Sequence, residues 1–123
     1  MALIMAGCMN VHPIYNVPDR MFSGSAKRLS QEELRTLVIA TALKRGWQFS
    51  VLSHDKLEGR LHVRTHTATV RVRIDQVSFS ISYVSSDNLN ESGGNIARNY
   101  NRWIRNLERD ISAAVLTASL NRT

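Results

Sequence analysis

One cysteine, two prolines and 7% aromatic residues in 123 residues are sparse allotments, and each shortage excludes something. A single thiol permits neither an intramolecular disulfide nor a Cys-x-x-Cys metal knuckle. Acidic residues are also few: ten Asp and Glu face sixteen Lys and Arg, a formal charge of +6. That balance admits an acidic partner without demanding one. The longest apolar run, Ala2–Met9, is interrupted only by Gly7 and falls well short of the ~20 residues of a membrane-spanning helix. At 43% hydrophobic, the chain is too apolar for a disordered polymer, and its length suits one domain with a tail.

Catalytic signatures are missing too. The sequence holds no HExxH, P-loop, GxSxG or dinucleotide fingerprint. His62 and His66 share a strand face but stand ~13 Å apart at strand geometry, too far for one metal. His12 and His54 read as linker and turn residues. Ser, His and Asp occur without any spacing that orders a triad. The expectation is a non-enzymatic chain with no catalytic residues, no cofactor and no metal.

What is present begins at the N-terminus. Residues 2–8 read Ala-Leu-Ile-Met-Ala-Gly-Cys. An apolar run ending in two small residues and a cysteine has the form of a bacterial lipobox. The peptidase cleft accepts only small side chains such as Ala6 and Gly7, and the Cys8 thiol is the atom that receives diacylglycerol. Leucine is commoner where Met5 stands, and no basic stretch precedes the run. Residues 1–8 are therefore expected to be the remnant of a lipoprotein signal, with Cys8 the lipidated residue. The plainer reading is a frayed apolar end with an incidental thiol. Residues 9–29 carry Pro13, Pro18 and Ser23-Gly24-Ser25 without sustained periodicity, and read as a flexible tether. Ile14, Tyr15 and Val17 could still dock on the domain.

Residues 30–120 then read as one α+β domain. Ser30-Gln31-Glu32-Glu33 has the form of a capping box opening a helix over Gln31–Arg45, with Gly46 at its end. Four stretches alternate with period two: 47–53, 56–65, 67–75 and 77–85. Their apolar sides run through Trp47, Phe49 and Val51; Leu57, Gly59, Leu61 and Val63; Ala68, Val70, Val72 and Ile74; and Val77, Phe79, Ile81 and Tyr83. Ile96, Tyr100, Trp103, Ile104, Leu107, Ile111 and Val115 mark a second helix, with Asn95 as its candidate cap. The predicted architecture is a two-layer α-β4-α domain, a four-stranded antiparallel meander with both helices on one face. Two-residue turns at Thr65-His66 and Asp75-Gln76 would set Leu61 opposite Val70, Leu57 opposite Ile74, Val72 opposite Phe79 and Val70 opposite Ile81.

The wet face would then gather Arg60, His62, Arg64, Arg71 and Arg73 with threonines and serines. That register sets Arg60 against Arg71, which is unfavourable unless an anion or carboxylate intervenes. The functional reading is an anion- or partner-binding face. The plainer one is a solvated face with Glu58 pairing Arg73. Nucleic acid fits less well, because base stacking needs aromatics on the open face and these share the buried parity. The stripe Arg98, Arg102, Arg105 and Arg109 on the second helix could meet anionic lipid or serve solubility alone. The loop 85–94 is long enough to be functional, with Leu89 as a plug. Within it Ser86 and Asn88 are expected to meet Asn101 and lock loop to helix. The first and fourth strands could each pair edge to edge in an oligomer.

Several segments together resemble a family of small proteobacterial lipoproteins and exported proteins without established activity. They are Gly59-Arg-Leu, Arg64-Thr-His-Thr-Ala-Thr-Val70, Phe79-Ser-Ile-Ser-Tyr83, Ser86-Asp-Asn-Leu89 and Ile96 through Asn99-Tyr-Asn-Arg-Trp-Ile104. The resemblance covers about Gly46 to Leu107. It implies an envelope location and a non-enzymatic domain, and it supplies no ligand. Together with the lipobox form of Ala6-Gly7-Cys8, the expectation is a lipid-anchored periplasmic protein, the outer membrane being preferred over the inner. In that family an acidic residue often stands where Ser85 does and a histidine where Ala97 does, so a site built on those groups is not carried over. An acidic envelope component or a protein is the expected partner. The competing expectation is a cytosolic basic module that binds anions or nucleic acid through the arginine-rich sheet face.

Overall fold

The structure, a computed structural model, describes residues 10–122. The Ala2–Cys8 segment lies outside them. The fold is α+β. Its strands are β1 (Val11–Pro13), β2 (Val17–Met21), β3 (Gln48–Val51), β4 (Lys56–Val63), β5 (His66–Ile74), β6 (Ser78–Asp87) and β7 (Asn95–Ala97). Its helices are α1 (Gln31–Leu43) and α2 (Arg98–Leu120). β2-β6-β5-β4-β3 form one antiparallel sheet, and β1 and β7 pair as a separate ribbon.

The main sheet thus has five strands, not the four expected. The additional one comes from the segment expected to be a tether. Val17 pairs with Ile81 and Arg20 with Phe79 across a bulge. A 3-10 turn at Gly24–Arg28 follows, burying Ala26, and Leu29 is buried just beyond it. Pro18 is tolerated because β2 is an edge strand and Pro18 lies within the irregular part of the ladder. Stacking of Phe22 on Phe79 at 5.3 Å adds an apolar fastening.

Local sequence explains the helices. The Ser30 Oγ accepts from the Glu33 N–H at 3.1 Å and the Glu33 carboxylate accepts from the Ser30 N–H at 2.8 Å, closing the expected capping box. α1 buries Leu34, Val38 and Ala42, and the chain turns at Gly46 with φ +95°. α2 buries Tyr100, Ile104, Leu107, Ile111 and Val115 at spacings of three and four. Asn95 does not cap it. Asn95–Ala97 is committed to β7, and α2 starts at Arg98 with no side-chain cap.

The four alternating stretches form strands that keep the expected parity except at two ends: Val51, at the end of β3, is half exposed, and Val77 falls in the turn before β6 and is 48% exposed. Leu57, Val70, Val72, Ile74, Phe79 and Ile81 are inside, while Arg60, His62 and Arg71 are exposed. The pairings differ by two residues. Leu61 faces Ala68, Leu57 faces Val72, and Val72 faces Ile81. The turns fall at Arg64-Thr65 and Gln76-Val77, because Arg64 takes φ +58° and the Asp75 Oδ1 accepts from the Val77 and Ser78 N–H groups. A shift of two preserves every side chain's face, whereas a shift of one would reverse it. The fourth expected strand, β6, is covered by β2 and is not an edge; β3 is one, with Val51 and Leu52 each 50% exposed.

Candidate functional site

The open face of the five-stranded sheet carries the strongest candidate. Cross-strand pairs place Arg60 beside Thr69, His62 beside Thr67, Glu58 beside Arg71 and Arg73 beside Ser80. A bulge shapes its upper end. Val70 pairs with Tyr83 and Thr69 with Ser85, so Val84 is an extra residue in β6. Beyond it the parity of β6 inverts. Ser85 and Asp87 turn to the open face, while Ser86 turns inward and its Oγ meets the Tyr83 hydroxyl at 2.8 Å.

The result is a shallow depression of about 510 Å³ lined by Arg60, His62, Thr67, Thr69, Ser85, Ser86 and Asp87. The His62 Nδ1 lies 2.8 Å from the Thr67 Oγ1, which orients both rims of the strand pair. Thr69 is 7% exposed, so its hydroxyl sits at the floor.

Charge divides this face in two. The expected Arg60–Arg71 opposition does not occur, because the register sets Arg71 against Glu58 with a 3.3 Å ion pair. Glu58 therefore does not pair with Arg73. Arg73 instead bridges Asp75 at 2.8 Å and Asp19 at 3.0 Å, and donates to the Ser78 Oγ at 2.9 Å. Burial raises the Asp75 pKa, but the Ser78 and Val77 N–H groups and Arg73 outweigh it and hold the carboxyl below its ordinary value. Among the described residues, no carboxylate lies within ion-pair distance of Arg60 or Arg64. The lower half is neutralised by ion pairs; at the upper end Arg60 and Arg64 form none among the described residues, and the Asp87 carboxylate lines the same hollow without pairing to either.

The expected contact of Ser86 and Asn88 with Asn101 is absent. Asn88, at φ +59°, donates from Nδ2 to the Thr65 Oγ1 at 2.6 Å, and its carbonyl lies 2.5 Å from the His66 Nδ1. It fastens the end of β6 to the β4–β5 turn. Leu89 is the buried plug, 2% exposed, and its carbonyl accepts from the Ala97 N–H. Asn101 serves the N-terminal arm: its Oδ1 accepts from the Tyr15 N–H and its Nδ2 donates to the Pro13 carbonyl, both at 2.9 Å.

A second polar cluster, outside the expected sites, surrounds that arm. The Tyr15 hydroxyl donates to Glu108 at 2.6 Å, Arg20 pairs with the same carboxylate at 2.8 Å, and the Arg105 guanidinium lies 4.6 Å from the Tyr15 ring centre. The hydrogen bond to Glu108, partial burial and the Glu108 charge together raise the Tyr15 pKa. The available signal was the seven-residue spacing of Asn101 and Glu108, which aligns two polar groups along one border of the apolar stripe. Below the loop, Tyr100 packs edge-on to Tyr83 with centroids 5.6 Å apart, and its buried hydroxyl has no partner. Burial pushes that hydroxyl's pKa well up.

No group of three or more metal-ligating side chains occurs among the described residues, and no described helix is long and apolar enough to cross a membrane. The chain matches no protein-family model, no curated protein and no solved structure.

Proposed function

We infer that the protein is a small, non-enzymatic binding domain of the bacterial envelope, anchored by lipid at Cys8, that receives an anionic envelope component on its open sheet face. The observation that carries the binding reading is the unpaired arginine at the upper end of that face. Arg60 stands over a hollow lined by Thr67, Thr69, Ser85 and the Asp87 carboxylate, and no carboxylate among the described residues, Asp87 included, lies within ion-pair distance of its guanidinium. Guanidinium groups recognise carboxylate and phosphate through paired N–H donors, and Thr67, Thr69 and Ser85 add neutral hydrogen-bonding groups around the charge.

The location rests on the Ala6-Gly7-Cys8 sequence and on the resemblance to exported lipoproteins. Each acyl CH₂ buried in a bilayer contributes about 0.8 kcal/mol, so several chains hold a small domain firmly. Nucleic acid is the less favoured ligand. Trp47, Phe79 and Tyr100 are buried, Tyr83 packs on Tyr100, and Phe49 lies over Gly59, so stacking surfaces are turned away from the arginines.

Two measurements test this. Labelled palmitate fed to cells expressing the native gene should enter the protein and be lost in Cys8→Ser; an unlabelled native chain ends the anchoring reading. Titration with a carboxylated polysaccharide fragment should give salt-sensitive binding that Arg60→Gln weakens roughly tenfold, the scale of one lost charge-assisted contact. Binding indifferent to Arg60 removes the site.

A further inference from the structure

We propose that the arginine stripe of α2 is a docking surface for anionic phospholipid headgroups, which lays α2 flat on the bilayer and turns the open sheet face away from it. This deepens the anchoring reading and rests on it for its biological setting. The starting point is the length of chain between the anchor and the fold. Val11 is already paired with Ala97, at the threshold of α2. From Cys8 to Val11 are three peptide steps, at most about 11 Å whatever their conformation. An acylated Cys8 therefore leaves no tether, and the surface around β1, β7 and the start of α2 must lie within roughly one Debye length of the headgroups.

That surface is basic. Arg98, Arg102, Arg105 and Arg109 are all exposed. At helical geometry they fall within an arc of about 60° along about 16 Å of axis. None has a carboxylate partner among the described residues. Arg102 donates to the Asn99 Oδ1, Arg109 to the Asn106 Oδ1, and Arg105 lies over Tyr15. The nearby Glu108 is already engaged by Tyr15 and Arg20. The arm from Val11 to Tyr15 is held to this same stretch of α2 by Asn101 and Glu108, so anchor and arginines cannot separate without breaking those bonds. The opposite side of α2 is buried with Ile104, Leu107 and Ile111 in the core, which places the open sheet face on the far side of the molecule.

The full chain carrying Cys8→Ser, which cannot be acylated, isolates the docking step. At low salt it should co-sediment with vesicles containing 30 mol% phosphatidylglycerol, taken as roughly a third anionic by choice of probe, and not with phosphatidylcholine alone. Binding should disappear as salt rises through several hundred millimolar. Replacing Arg98, Arg102 and Arg109 together by Gln should weaken it at least tenfold, whereas replacing Lys27, Lys44 and Lys56 by Gln should leave it within about twofold. Circular dichroism checks that each variant is folded. Equal losses in both triple variants, or tighter stripe-dependent binding to single-stranded DNA than to the vesicles, would overturn the proposal. Palmitate labelling of the native chain reads acylation separately, so docking and anchoring can fail independently.

Discussion

Replacing Asn101 by Ala should release the N-terminal arm while leaving the loop after β6 in place. The Asn101 amide makes two bonds, each 2.9 Å, to the Tyr15 N–H and the Pro13 carbonyl, and is itself 4% exposed. Each net hydrogen bond contributes about 1 kcal/mol, and groups stranded without a partner add to the loss. Opening of the arm lets water solvate both backbone groups, so about 2–3 kcal/mol is a fair total, equivalent to roughly 30- to 150-fold faster exchange of the arm's amides. The Tyr15 N–H and the Ile14 N–H, which donates to the Gly94 carbonyl at 2.9 Å, should show it most directly. Residue-resolved hydrogen exchange is the assay. The Ala97 N–H, bonded to the Leu89 carbonyl, and the β4–β5 pairing should keep their protection. Accelerated exchange confined to residues 86–90, with an unchanged arm, would refute the assignment and restore a loop-locking role for Asn101.

Other substitutions probe the core and the sheet. Gly59→Ala builds a Cβ 2.3 Å from the Phe49 ring, so the ring must leave its place over β4; we expect a loss of about 1–3 kcal/mol in chemical denaturation and altered Trp47 fluorescence, since Trp47 and Phe49 centroids are 5.9 Å apart. Tyr100→Phe removes a buried hydroxyl that has no partner and should be neutral or stabilising by up to about 1 kcal/mol; a loss exceeding that would mean the hydroxyl is satisfied after all. Asp75 has a folded-state pKa below its unfolded value, so its contribution is present above about pH 4 and is lost as pH falls through the lower folded-state value. Stability curves of wild type and Asp75→Asn should accordingly differ at neutral pH and draw together in acid.

Faces were legible in the sequence where pairings were not. The alternation in β4, β5 and the first part of β6 assigns Leu57, Val72 and Phe79 to the core and Arg60 and Arg71 to solvent, as observed. The register depends on turns, and neither turn uses a residue pair that announces itself. Arg64 adopts a left-handed conformation that favours glycine or asparagine, and Asp75 sets the other turn through its side chain. This two-residue difference replaced an arginine opposition with the Arg71–Glu58 ion pair, changing where uncompensated charge lies. The Val84 bulge was invisible for a related reason: a single inserted residue leaves Ser85, Ser86 and Asp87 equally polar whichever way they point.

The N-terminal arm was the larger omission. β1 and β2 are three and five residues long, include Pro13 and Pro18, and pair with β7 and β6 far along the chain. Segments this short carry no period to read, and long-range pairing supplies what local pattern does not. Tyr15 and Val17 were recognisable as candidates for docking; their partners, Asn101 and Glu108 for Tyr15 and Ile81 for Val17, became visible only in the fold.

A two-dimensional ¹⁵N map of the full chain, titrated with a carboxylated polysaccharide fragment, tests the central claim of a ligand-receiving sheet face most directly. Shifts should concentrate at Arg60, His62, Thr67, Thr69, Ser85 and Asp87 and be abolished by Arg60→Gln with the rest of the spectrum preserved. Shifts confined to α2, or an unperturbed spectrum at saturating fragment, would contradict it.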